Sequence, residues 1–103
     1  MKNTLNVFCA MAALTFAFPS HADQALATSK ACMACHSVEK KVVGPAFKDV
    51  AQKYASDKNA AATIVSRITR GSTGSWGAVP MPANTQVSEA DAKKLAAWIL
   101  SLK

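Results

Sequence analysis

The chain of 103 residues is 50 % hydrophobic and carries 12 Lys and Arg against 6 Asp and Glu, a formal net charge of +6. Its length argues against a multidomain enzyme. Its basic residues are scattered rather than clustered with aromatics, which argues against nucleic acid as a partner and favours acidic protein surfaces.

Lys2 is followed by an almost uninterrupted apolar run from Leu5 to Phe18, and then by Pro19, Ser20, His21 and Ala22. This pattern predicts an export signal, residues 1–22, with small residues at the positions a signal peptidase inspects and cleavage after Ala22. The run is too short to span a membrane and no stop-transfer pattern follows it, so no membrane anchor is expected. Cys9 lies too early in the signal to suggest a lipid anchor and leaves with it. Cleavage leaves 103 − 22 = 81 residues, one small domain over 23–103, with a charge of 11 − 6 = +5 because Lys2 is the only charged residue lost. The mature chain keeps Cys32, Cys35, His36, Met33 and Met81 and no other residue of those three types. A domain of this size buries a modest core and often needs a disulfide, metal or cofactor to support it.

In chain order, a first helix is expected over Gln24 to Ala31, with Leu26 as its only large apolar residue. Phe47, Val50, Ala51 and Tyr54 form one helical face after Pro45, and Ile64, Val65 and Ile68 form another that stops at Gly71. From Gly71 to Val87 the sequence GSTGSWGAVPMPANTQV holds three glycines and two prolines and predicts an irregular loop. Loops of that length in small domains usually serve function. Ser88 with Asp91 makes a capping box ahead of Leu95, Trp98, Ile99 and Leu102, which predicts a last helix over Glu89 to Leu102. No run alternates like a sheet strand, and no repeat or linker is present. The expectation is a single all-α domain.

Between the first two helices stands Cys32-Met33-Ala34-Cys35-His36, a C-x-x-C-H sequence, the attachment signature of c-type haem. The spacing suits the chemistry: one turn presents two thiols to the vinyl groups at a porphyrin edge, and the next residue carries an imidazole toward the iron. Zinc would need about four ligands, and beyond these three the mature chain offers only carboxylates. A thioredoxin-like dithiol would need a βαβ pattern that is missing. A structural disulfide across so small a loop gains little. Export adds weight to haem, which is attached in this way outside the cytoplasm.

With His36 as one axial ligand of the iron, the second must come from elsewhere. No other histidine remains, and Met33 is held between the two cysteines, so Met81 is the thioether expected on the opposite face. It sits in Pro80-Met81-Pro82, where the prolines keep the chain extended without a hydrogen-bonded ladder. His/Met coordination fills both axial positions and raises the reduction potential, which describes an electron carrier rather than an enzyme.

With CMACH, KKVVGPAFKDVAQKYA, SRITRGSTGSWGAVPMPAN and LAAWILSLK, the chain resembles a small bacterial class I cytochrome c of the short periplasmic monohaem type. The resemblance spans essentially the whole mature chain. It implies about four short helices wrapped around one covalent haem c, in a monomeric periplasmic carrier that serves a respiratory chain. Its redox partners would include a cytochrome bc complex, a nitrite reductase or a terminal oxidase. It also implies that the Pro45 carbonyl accepts a hydrogen bond from His36, that Asn84 lies near the Met81 sulfur, and that Arg67 and the Trp76 indole N–H contact a haem propionate. One departure is visible: where the first helix should cross the last with an aromatic and a small residue, this chain has Ala27 and Ala31 and no aromatic. The competing readings are a haem protein with an open sixth position, as in a gas sensor or enzyme, and a dithiol oxidoreductase without haem. The docking edge is expected at Met33, Ala34, Val42, Val43, Val79, Pro80, Pro82 and Ala83, ringed by Lys30, Lys40 and Lys41.

Overall fold

The computed structural model describes residues 21–103 and, separately, Ala13; apart from Ala13, His21 and Ala22, the predicted export signal lies outside the described residues. Four helices follow in chain order: α1 (His21–Ser29), α2 (Phe47–Lys53), α3 (Ala60–Arg70) and α4 (Glu89–Ser101). Among the described residues the other ordered pieces are a 3-10 turn at Cys32–Ala34 and two isolated antiparallel bridges, His36 with Lys41 and Ser72 with Met81. The chain is all-α, as its periodicity predicts. No helix among the described residues is long and apolar enough to cross a membrane.

Helix α4 is the spine on which α1, α2 and α3 all pack. It begins where Ser88 Oγ accepts a hydrogen bond from the Asp91 N–H at 3.1 Å, satisfying one of the free amides of the first turn. Ala92, Leu95, Ala96, Trp98 and Ile99 are then at most 6 % exposed, the apolar stripe that the 3.6-residue period requires. Ser88→Ala should cost about 1 kcal/mol, read as a lower denaturation midpoint, with Ser88→Asn close to the parent.

The first helix departs from its prediction over Gln24 to Ala31. It starts earlier and ends at Ser29, because Ala31 takes φ 63°, a left-handed conformation that costs a non-glycine residue about 1–2 kcal/mol. The Ala31 N–H turns back to the Thr28 carbonyl at 3.1 Å, and the chain leaves the helix axis for the Cys32–Ala34 turn. Ala31 is consequently exposed, whereas Ala27 is fully buried in one cluster with Ala92 and Ala96 of α4. Side chains this small let two helices lie close. The aromatic that meets Trp98 comes from α2: Phe47 packs on it edge-on with ring centroids 5.3 Å apart.

Helix α2 has no side-chain cap. Its first amides are satisfied by the preceding loop, Phe47 N–H by the Ser37 carbonyl at 2.9 Å and Lys48 N–H by the Val38 carbonyl at 3.1 Å. These bonds fold the segment after the cysteines back onto α2. Lys30, expected at the docking rim, is held elsewhere: its Nζ donates to the Gln86 carbonyl at 3.3 Å and lies 3.9 Å from Asp91 Oδ2. It ties the end of α1 to the start of α4.

Candidate haem-binding site

The attachment segment is built by backbone hydrogen bonds around one carbonyl. Cys32 C=O accepts from both Cys35 N–H, at 3.2 Å, and His36 N–H, at 3.0 Å. This tight turn carries two free thiols, Cys32 half-buried and Cys35 exposed. Burial pushes the Cys32 thiol above its ordinary pKa, partly offset by a backbone hydrogen bond.

His36 is fixed on several sides. Its Nδ1 lies 2.7 Å from the Pro45 carbonyl oxygen, to which it donates, leaving Nε2 with its lone pair. Phe47 stacks on the imidazole at 4.8 Å between centroids, 21° from parallel. Gly44 lies against the same ring so closely that a Cβ there would stand 2.8 Å from Nδ1 and overlap Cε1. Glycine here is a requirement of close approach. The Gly44 amide donates back to the Cys35 carbonyl at 2.8 Å, so the loop 36–45 closes on the attachment turn.

Met81 is held from the end of α3. Ser72 N–H donates to the Met81 carbonyl at 3.0 Å and Met81 N–H to the Ser72 carbonyl at 2.9 Å. The segment thus has one paired residue, where the sequence predicts extended chain without a ladder. Pro80 and Pro82 lack an N–H, so pairing cannot spread past Met81. Beyond it, Asn84 donates from its backbone N–H and from Nδ2 to the Ile68 carbonyl, each at 3.0 Å, while its Oδ1 accepts from Gln86 Nε2 at 3.3 Å.

All eight predicted site residues, Cys32, Cys35, His36, Pro45, Arg67, Trp76, Met81 and Asn84, line one cavity of about 650 Å³. Phe47, Ile64, Ile68, Leu95, Trp98 and Ile99 make its apolar wall. Lys53 steadies the loop over it, with Nζ donating to the Ser75 carbonyl at 2.8 Å and lying 4.4 Å from the centre of the Trp76 ring. Of the residues expected at the docking edge, Val42, Val43, Val79, Pro80 and Pro82 line the cavity, Ala34 and Ala83 are exposed, and Met33 packs against the core. Phe47, Gly44 and Lys53 were not legible as site residues. The pair Gly44-Pro45 before an aromatic was the one available signal.

The mostly apolar cavity has two thiols, an imidazole and a thioether in its wall, a donor set whose chemistry suits a c-type haem. It does not fit zinc, since among the described residues no three His, Cys, Asp or Glu side chains gather where they could hold a metal ion. This donor set on a four-helix fold points to the class of small c-type haem proteins.

Residues 23–103 match the cytochrome c family, and the chain belongs to that family of haem-bearing electron carriers. It is 52 % identical over 99 residues to cytochrome c-552 of Nitrosomonas europaea, covering 96 % of this chain and 95 % of the relative. The crystal structure of that wild-type cytochrome c552 superposes with a TM-score of 0.76 at 56 % identity, over 78 % of this chain and 99 % of the other. The class 1 cytochrome MtoD of Sideroxydans lithotrophicus is also similar, at 30 % identity and a TM-score of 0.65, over 80 % and 94 % of the two chains.

Proposed function

We propose that the protein is a soluble, monomeric, periplasmic electron carrier without substrate turnover. One haem c is attached through Cys32 and Cys35 and held axially by His36 and Met81. The observation that carries this reading is the single cavity wall shared by both thiols, the imidazole and the thioether. The export signal over 1–22 belongs to the same reading, and the family match over 23–103 supports it.

Bound there, haem supplies a one-electron iron couple. Pro45 holds His36 so that Nε2 is the free donor, and the hydrogen bond at Nδ1 makes it a better one. Met81 offers a soft, neutral sulfur that favours the reduced metal. Held by both His36 and Met81, the group would exchange electrons without binding a substrate. Arg67 and Trp76, both in the cavity wall, offer a cation and an N–H donor for the propionates. Asn84, fixed to Ile68, holds the chain just past Met81. A reductive titration tests the reading: one single-electron wave is expected. A two-electron wave would favour a Cys32–Cys35 dithiol couple instead.

Val42, Val43 and Val79 are 56, 52 and 65 % exposed at the cavity mouth, with exposed Lys40 and Lys41 beside them. An apolar centre with a charged rim suits a short-lived complex with an acidic redox partner such as a cytochrome bc complex, a nitrite reductase or a terminal oxidase. Rim charge speeds encounter, while the small area permits release. Lys40→Glu with Lys41→Glu should slow electron transfer to an acidic partner about tenfold at low ionic strength. The difference should fade above about 0.1 M salt, where screening acts within roughly 10 Å. Stopped-flow rates against salt concentration check both parts.

A further inference from the structure

Gly71 closes α3 and stands where the Met81 segment passes. Its φ of 79° with ψ of 179° is a backbone region that favours glycine. A Cβ at this position would lie 2.5 Å from the Met81 carbonyl oxygen, 2.9 Å from the Ala83 nitrogen and 3.1 Å from the Pro82 carbonyl carbon. All three are backbone atoms, so no change of rotamer relieves the overlap. The next residue, Ser72, exchanges both backbone hydrogen bonds with Met81, and Asn84 ties the far end of the segment to Ile68. Residues 81–84 are therefore laid against the end of α3, at a distance that a missing side chain permits.

We propose that Gly71 is a positioning residue for Met81. Its lack of a side chain sets how deeply the backbone of 81–83 lies against α3, and through that backbone the reach of the thioether into the cavity. The inference rests on Met81 being the iron ligand. Gly74 supplies the contrast, since it also has a positive φ, 80°, in the same loop, but an added Cβ there meets nothing within 4 Å. It carries the backbone strain without the contact.

The test compares haem-loaded wild type, Gly71→Ala and Gly74→Ala by the rate of carbon monoxide binding to the ferrous protein and by the ring-current-shifted Met81 methyl resonance. Gly71→Ala should bind carbon monoxide at least about tenfold faster than Gly74→Ala and should move or broaden the methyl signal. Equal rates and an unmoved methyl signal in the two variants overturn the proposal. Met81→Ala keeps the two ideas apart, because a carbon monoxide rate unchanged by that substitution sinks the ligand assignment itself. If Gly71→Ala yields no haem-loaded protein, amide exchange in wild type decides. Displacing the Met81 sulfur with imidazole should speed exchange of the Ser72 and Met81 amides at least about tenfold, with the interior of α3 unchanged. Unchanged exchange at those two amides overturns the proposal.

Discussion

Met81→Ala should turn a closed carrier into a ligand-binding protein. With Met81 bound to the iron as proposed, an external ligand would enter the parent only in the small fraction of molecules whose sulfur has left the metal. If that fraction is about 0.01, removing the thioether speeds carbon monoxide binding about a hundredfold. Met81→His should behave differently, because an imidazole refills the position but stabilises the ferric state better than a soft thioether does. The potential should fall by at least about 60 mV, the shift that matches a tenfold change in preference for a one-electron couple. Potentiometry and carbon monoxide flash kinetics on the three proteins read both effects. A parent that already binds carbon monoxide as fast as Met81→Ala would mean an open sixth position.

Replacing Cys32 and Cys35 together by alanine should leave haem extractable by acidified acetone and the extracted chain largely unfolded. The cavity of about 650 Å³ is walled by Phe47, Ile64, Ile68, Leu95, Trp98 and Ile99, which are also the core of a small domain. Without the cofactor that apolar wall faces water instead of being covered, a loss that a small domain, with a net stability of about 5–15 kcal/mol, cannot absorb easily. The far-ultraviolet circular dichroism of the extracted variant should show most of the helix lost. A cooperative, native-like melt without haem would show that the helices hold themselves.

Much of this was readable from residue types alone. The stripe Leu95, Trp98, Ile99 behind a Ser88 cap gave α4, because period and cap are local properties of one segment. The attachment motif and the scarcity of His and Met pointed to His36 and Met81, and all eight expected site residues lie on one cavity. What escaped depends on contacts between segments. Ala31 ends α1 early without any glycine or proline to mark it. A one-residue pairing of Ser72 with Met81 leaves no alternating pattern to detect. The periodicity of α2 showed that Phe47 is buried but not that it stacks on His36 and meets Trp98. Lys30 looked like a free rim charge because its partners, Gln86 and Asp91, lie more than fifty positions along the chain.

A covalent haem held by both His36 and Met81 would show itself in one set of spectra. Wild-type protein produced in cells with haem-attachment machinery is recorded oxidised, reduced, and reduced under carbon monoxide. The expected result is a c-type haem spectrum that is low-spin in both oxidation states, survives acidified acetone and barely changes when carbon monoxide is admitted. A colourless protein, or a high-spin ferrous form converted at once by carbon monoxide, contradicts it.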